Sequence, residues 1–450
     1  MKQKKKFGGM HPSKIIAGSF LAIIALGTLL FMLPFMTRDG RGLPFMKALF
    51  TATSGVCVTG LTLIDPAVTL TRYGQILLLV LIEVGGISMV TFATFFIFAF
   101  KKRSAFRSMR LAQEYTNIDT FSQVRPLVRT IVITAGLTQL LGAGVLCIRF
   151  VPQLGAKGVW VSVFTAVSAY CNAGFDLFGL LHSFGSLSPF NGDPLVMYTV
   201  MALIVTGGLG FYVFYDLLTF HKTKHISLHT KVVAIFTAAL LLFGFLSVFS
   251  FEYSNPQTLG ALPLPERITA ALFQSVTTRT AGFSSVNIAS LHDVTKIIMM
   301  GLMFIGAGSG STGGGIKVTT FAVLVMSVIS VLRNQNDTRI FSRRVDHKVV
   351  AKSLAVALLG MVVVFLVTCV LVAERPLTDG IDAFFEAVSA FATTGISAGV
   401  TARTGLAGQI ALVLAMYIGR VGPVCFIISL NRSEEDRINE VLPEGRIMVG

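Results

Sequence analysis

The sequence predicts an all-α integral membrane protein with eight transmembrane helices and four re-entrant pore helices, in four repeats set around a pseudo-four-fold axis. Three observations carry this: an apolar phrase written four times, a composition too apolar for a soluble chain, and basic residues crowded on one side. The copies read Phe50-TATSGVCVT-Gly60-Leu61, Phe164-TAVSAYCNA-Gly174-Phe175, Phe273-QSVTTRTA-Gly282-Phe283 and Phe385-EAVSAFATT-Gly395-Ile396. Each ends in glycine and a large apolar residue, and the third is one residue shorter. Internal repeats fix an architecture before any single residue is weighed. Four copies of helix, short re-entrant helix, glycine turn and helix let one chain imitate a four-fold pore.

Of the 450 residues, 53% are hydrophobic and 13% charged, where a soluble domain carries about 25% charged. Mean hydropathy is +0.76. Crossing ~30 Å of hydrocarbon takes about 20 helical residues, and stretches near 13–36, 72–100, 127–150, 194–219, 230–250, 294–333, 349–373 and 406–430 are long enough. They pair into repeats at about 13–100, 127–219, 230–333 and 349–430, within a single membrane domain over 1–450. Residues 431–450 form a cytoplasmic C-terminal tail.

The net charge of +15 raises the question of a polyanionic partner, and its distribution answers it. Lys and Arg crowd the N-terminus (Lys2, Lys4, Lys5, Lys6, Lys14), the segment Lys101–Arg129, the loop with Lys222, Lys224 and Lys231, the segment Arg333–Lys348, and the tail. All fall on one side if eight spans alternate. The opposite side is sparser and mixed, with Arg38, Arg41, Lys47, Asp176, Asp193, Glu374 and Asp382. Basic loops stay cytoplasmic, so both termini are expected in the cytoplasm of a multi-pass cell-membrane protein and the glycine turns open outward. Nucleic acid is not needed to explain the charge. The first apolar run exceeds the 7–15 residues of a signal-peptide core and lacks a clear cleavage site, so it reads as a retained helix. Five cysteines (Cys57, Cys147, Cys171, Cys369, Cys425) lie in apolar segments at no metal-ligand spacing, which predicts buried apolar roles and no disulfide framework.

The repeated phrase carries the chemistry. A backbone that dips into the bilayer and turns back survives only where it is buried in protein or faces a water-filled cavity. Glycine reaches φ > 0 without steric cost and lets consecutive carbonyls face one way. Four such turns around one axis make rings of carbonyl oxygens able to replace a cation's hydration shell, with the partly negative ends of the pore helices aimed at the ion. Close helix packing through small residues is the competing reading, and four copies between paired spans are hard to obtain from packing. The turns Val58-Thr59-Gly60, Asn172-Ala173-Gly174, Thr280-Ala281-Gly282 and Thr393-Thr394-Gly395 hold no Asp or Glu. Carbonyl dipoles suit a weakly hydrated monovalent cation, which favours potassium, with sodium the rival because composition does not fix ring size.

A second feature is Gly306-AGSGSTGG-Gly315, which puts Gly306, Gly308, Gly310, Gly313, Gly314 and Gly315 inside the long apolar segment 294–333. Glycine costs about 1 kcal/mol relative to alanine in a helix interior, so the helix should break there. The stretch formally matches a dinucleotide fingerprint, but no strand precedes it, and it lacks the Lys placement of a phosphate-binding loop. It reads either as a kinked, tightly packed helix or as a loop obstructing a pore. Charges within the membrane mark function by default. Arg279 lies beside the third turn and Glu386 in the fourth pore helix, and the two are expected to pair behind the filter. Lys317 and Arg420 are placed to bind carbonyls of the glycine loop. Glu83 is either a vestibule acid or a hydrogen-bonded core residue, the latter preferred, and Asp216 is near enough to the cytoplasmic end to be solvated.

The four phrases, above all Thr278-Arg279-Thr280-Ala281-Gly282-Phe283, resemble the Ktr/Trk/HKT superfamily of potassium transporters, with the bacterial Ktr membrane subunit the most similar branch. Glu252-Tyr253-Ser254-Asn255-Pro256, Gly314-Gly315-Ile316-Lys317 with Thr319-Thr320-Phe321, and Ile418-Gly419-Arg420-Val421-Gly422-Pro423 extend the resemblance over nearly the whole chain. It implies four fused M1-P-M2 units around one pore, potassium selectivity, a homodimer in the membrane lipid, and a separate cytoplasmic nucleotide-binding ring that regulates opening. It also favours the obstructing-loop reading of 306–315. Serine at the first filter glycine goes with sodium permeation in relatives, and here Gly60 is present. No cofactor is expected in this chain: cytoplasmic segments do not much exceed about 25–30 residues, and a nucleotide-binding domain needs roughly 50 or more. A secondary transporter would show inverted repeats and several discontinuous helices, whereas these repeats run one way and one long helix is expected to break. An enzyme is not expected, because the seven histidines do not converge by spacing. Sodium coupling is left open as the alternative.

Overall fold

The computed structural model describes residues 12–87, 121–180, 186–335, 337–374 and 379–430. The basic segment 101–120, the tail 431–450 and the N-terminal lysines before Pro12 lie outside the described residues. Each repeat opens with a long apolar helix: α1 (Pro12–Phe31), α4 (Phe121–Leu154), α8 (Leu228–Glu252) and α12 (His347–Glu374). These four are long and apolar enough to cross a bilayer unbroken. Their outer faces expose Leu21, Leu140, Leu242 and Phe365, because a helix in lipid gains nothing from a polar stripe and satisfies its backbone internally.

Each long helix is followed by a short one that ends in one of the four glycine turns: α2 (Phe45–Val56), α5 (Ala156–Tyr170), α9 (Leu264–Thr277) and α13 (Gly380–Phe391). The phenylalanine that opens each copy of the phrase explains its recurrence. Phe50, Phe164, Phe273 and Phe385 are all fully buried, in one continuous apolar core that runs through all four repeats.

The closing helices are α3 (Arg72–Ile87), α6 (Pro194–Leu209) with α7 (Phe211–Thr223), α10 (Asp293–Phe304) with α11 (Val318–Leu332), and α14 (Leu406–Val421) with α15 (Pro423–Leu430). The expectation of a single broken span is corrected here. Besides the break between α10 and α11, the second repeat turns by 88° at Gly210, and the fourth is interrupted at Gly422. Both glycines have φ above +90°, a conformation that ends a helix at little cost only for glycine.

Two carboxylates, the buried Glu252 and the half-buried Glu374, tie opening to closing helices. Glu252, at the end of α8, accepts from the His292 amide at 2.9 Å and from Thr258 Oγ1 and Asn255 Nδ2, both at 2.7 Å. Glu374, at the end of α12, accepts from the amides of Gly405, Ala407 and Gly408 at 3.0–3.1 Å. In each case a carboxylate meets the unpaired amides at a helix N-terminus. Lys296 Nζ, 2.7 Å from Asp382 Oδ1, joins α10 to the fourth pore helix. A short hairpin, β1 (Arg339–Ile340) with β2 (Arg343–Arg344), connects α11 to α12. Asp216 is not simply solvated: its carboxylate accepts the Ser227 amide at 2.9 Å and so ties α7 to the start of α8. The cysteines divide: Cys57 and Cys171 are buried, while Cys369 is exposed on α12.

Candidate functional site

The four turns share one backbone conformation. Val58, Asn172, Thr280 and Thr393 have φ of 57°, 59°, 62° and 52°, and Gly60, Gly174, Gly282 and Gly395 have φ of 96°, 68°, 84° and 86°. The residues between them, Thr59, Ala173, Ala281 and Thr394, keep negative φ. Alternating handedness turns successive carbonyls to one side, as a carbonyl-lined cation path requires. Three of the non-glycine residues are β-branched, for which positive φ is a true outlier. Such strain, about 1–3 kcal/mol per residue, is held only where the surroundings over-determine it. The amides of Thr59, Ala173 and Thr394 bond the carbonyls of Ser54, Ser168 and Ser389, five residues back, at 2.7–2.8 Å. In the shorter third copy the Ala281 amide reaches Thr277, four residues back, at 3.0 Å. The missing residue is absorbed without losing the turn.

The turns close on one another. A Cβ on Gly60 would lie 2.5 Å from Ala173 O, on Gly174 2.9 Å from Ala281 O, on Gly282 2.7 Å from Thr394 O, and on Gly395 1.9 Å from Thr59 O. Each glycine thus abuts the middle carbonyl of the next repeat, and the fourth returns to the first. The register is identical at all four steps.

Outside this ring lies a cavity of about 410 Å³ lined by the four glycines together with Asp65, Asp176 and Arg403. Asp65 Oδ1 accepts the Ala67 amide, and Oδ2 has no partner among the described residues. Burial, with the like charge of Asp65 adding to it, pushes Asp176 up to about 6, although the Phe178 amide bonds its carboxylate. Above that pH the mouth gains a negative charge. Cation flux entering through this face is therefore expected to rise as the pH on that side goes from about 5 to about 7, and to lose that dependence in Asp176→Asn. Flux into proteoliposomes at fixed inner pH measures it, and a pH response persisting in Asp176→Asn would reject the assignment.

Beneath the ring, residues 305–317 leave the helix and form a loop. Gly306 N bonds Ile316 O at 2.8 Å, Gly308 N bonds Gly208 O at 2.9 Å, and Phe211 N bonds Gly310 O at 2.8 Å. The loop is thereby pinned to the bend between α6 and α7. Thr312 Oγ1 donates to Tyr170 O at 3.2 Å, at the end of the second pore helix. A Cβ on Gly313 would lie 2.2 Å from Thr280 Oγ1, and one on Gly314 2.1 Å from Thr393 Oγ1. The loop thus lies directly against a residue of the third and of the fourth turn, with no room for a side chain at either glycine. Lys317 Nζ donates to Gly313 O at 2.6 Å and to Gly314 O at 3.5 Å. Arg420 donates to Thr312 O of the loop and to Gly85 O of α3. Both cations meet the loop's free carbonyls.

The expected pairing of Arg279 with Glu386 is not found. Arg279 donates to Leu302 O at 3.1 Å and Gly306 O at 3.4 Å, where α10 ends and leaves carbonyls unpaired. A cation is favoured at a helix C-terminus, and these carbonyls take it. Glu386 instead accepts from the Ala398 and Thr401 amides, both at 3.1 Å, and from Ser397 Oγ at 2.7 Å, fixing the segment after its own turn. One repeated device escaped the sequence reading. A Cβ on Gly85, Gly207 or Gly419 would meet the carbonyl of Val56, Tyr170 or Phe391 at 2.1, 1.8 and 1.7 Å. In three repeats the closing helix therefore seats a glycine on the last residue of the pore helix. The recurring Gly85-Gly86, Gly207-Gly208 and Gly419 carried that signal.

The family model described as TrkH, cation transport protein, matches residues 1–440. The chain belongs to this family. It is 37% identical over 441 residues to Ktr system potassium uptake protein B of Bacillus subtilis, covering 98% of this chain and 97% of that protein. It is 38% identical over 449 residues to potassium/sodium uptake protein NtpJ of Enterococcus hirae, with 98% of each covered. Among solved structures it resembles the potassium transporter TrkH of Vibrio parahaemolyticus, with a TM-score of 0.72 at 16% identity, covering 96% of this chain and 87% of that one. The shared fold is that of a TrkH-family membrane protein, and the family is one of cation transporters, not enzymes.

Proposed function

We propose that this chain is the ion-translocating subunit of a Ktr-type potassium uptake system, conducting potassium through the ring of four glycine turns. The observation that carries the reading is the closure of that ring in one register, glycine against middle carbonyl, at all four steps. Such a ring offers neutral carbonyl dipoles to a dehydrated monovalent cation. The loop 305–317, held by Lys317 and Arg420, is the gate. Both termini face the cytoplasm, and the four units correspond to the repeats at 13–100, 127–219, 230–333 and 349–430. The chain works as a homodimer, and a separate nucleotide-binding ring docked on the basic cytoplasmic segments controls the loop.

Paired potassium and sodium fluxes in proteoliposomes test the selectivity, with potassium expected to dominate. Sodium permeation or sodium-coupled symport is the second reading, favoured by the resemblance to a relative named for both ions. Potassium uptake that requires sodium on the same side would decide for it. The purified chain alone is expected to retain no ATP. Stoichiometric ATP binding in equilibrium dialysis would remove the need for a separate sensor.

A further inference from the structure

Glu83, on α3, is a carboxylate that no capping role explains. Gln139 Nε2 donates to its two oxygens at 3.2 and 2.9 Å, and the Cys171 thiol lies 3.3 Å from Oε2. In all three contacts Glu83 can serve as the acceptor, as an ionised carboxylate would. Glu252, Glu374 and Glu386 each receive backbone amides at the start of a helix or loop. Glu83 has one neutral amide group and a thiol, which is a weak donor. Among the described residues no Lys, Arg or His forms an ion pair with it.

Its position is specific. Cys171 follows the last residue of the second pore helix and precedes Asn172, the first residue of the second filter turn. Gly86, three residues along α3, packs on the same cysteine, where a Cβ would lie 2.7 Å from Sγ. The carboxylate is therefore fixed against the base of the pore helix, one residue from the ion path. On the cytoplasmic side of the same turns stand two cations, Lys317 and Arg420, whose charge opposes a permeating cation.

We propose that Glu83 is an affinity-determining residue of the pore, an ionised carboxylate whose counter-charge is the monovalent cation held at the filter. The proposal rests on the reading of the four turns as a cation site. An unbalanced charge within the membrane is costly, and the ion in the neighbouring turn is the balance at hand. The coupling is reciprocal: what the ion contributes to the carboxylate, the carboxylate contributes to the ion.

Glu83→Gln keeps size and hydrogen-bonding capacity and removes the charge. Two readouts apply to the purified full chain: potassium-dependent thermal stabilisation, and the potassium concentration giving half-maximal flux in proteoliposomes. Both are expected to shift to higher potassium by about five- to tenfold, the effect of one charge acting across protein of intermediate dielectric. Glu83→Asp keeps the charge and should restore most of the shift. Cys171→Ser keeps a donor at the same place and should leave potassium dependence near that of the unmodified chain. A Glu83→Gln protein with unaltered potassium dependence would overturn the proposal, as would an equal shift in Cys171→Ser, which would mark packing as the cause. If Glu83→Gln does not fold, Glu83→Asp decides by itself: potassium dependence close to that of the unmodified chain supports the charge role, and a shift of about five- to tenfold with the charge kept contradicts it. Absence of any potassium stabilisation in the unmodified chain would instead overturn the filter reading beneath it.

Discussion

Gly395→Ala is expected to abolish selective potassium flux. The added Cβ would lie 1.9 Å from Thr59 O, far inside contact distance, at a backbone φ of +86°. The neighbouring atoms are backbone on both sides of the seam between the fourth and first repeats, so nothing can swing aside. The left-handed conformation alone costs an L-residue roughly 1–2 kcal/mol. Relief comes by spreading the seam, which opens the ring and withdraws a carbonyl from the ion. Gly60→Ser is the milder companion, because its Cβ would stand 2.5 Å from Ala173 O. There the ring widens without parting, and discrimination against sodium should fall more than total flux. Paired potassium and sodium fluxes on protein of normal thermal stability measure both variants. An unchanged flux ratio in Gly60→Ser would count against the site.

The second large effect is expected from shortening the loop. Removing residues 308–314 should raise potassium flux and weaken control by the proposed cytoplasmic partner, since the backbone that packs on Thr280 and Thr393 is gone. Irregular backbone at this depth must be buried or face a polar cavity, and the space under the ring is where it lies. Arg420→Ala should act in the same direction and less strongly. That side chain bonds Thr312 O in the loop and Gly85 O in α3, and its loss frees one anchor while Lys317 still holds Gly313 O. Flux assays on variants that fold normally decide the matter, and a loop-deleted protein without increased flux would leave the glycine run as a packing device.

The repeat architecture was legible because it is written in hydrophobicity and repetition, which act over whole segments. The buried Phe50, Phe164, Phe273 and Phe385 and the four glycine turns are local signals, repeated often enough to be read. The positive φ of Val58, Thr280 and Thr393 was not legible, because β-branched residues disfavour that region and only the surrounding ring imposes it. The Arg279–Glu386 pairing failed for a related reason. Opposite charges suggested attraction, but the broken end of α10 presents carbonyls to Arg279, and loop amides and hydroxyls fill the coordination of Glu386. Backbone groups freed by a break in a membrane helix compete for charged side chains, and a sequence names only the side chains. The bend at Gly210 was missed because one glycine in an apolar run reads as tolerated. Its conformation is set by the loop pinned beside it through Phe211 N and Gly310 O.

The central claim is that four glycine turns form a potassium site, and cation density between them tests it most directly. Structures determined in potassium and in sodium at equal ionic strength should differ on the axis, between the carbonyls of Thr59, Ala173, Ala281 and Thr394. Density there in potassium, weak or absent in sodium, is the predicted result. Equal density in both salts would contradict potassium selectivity at this ring, and none in either would contradict the site itself.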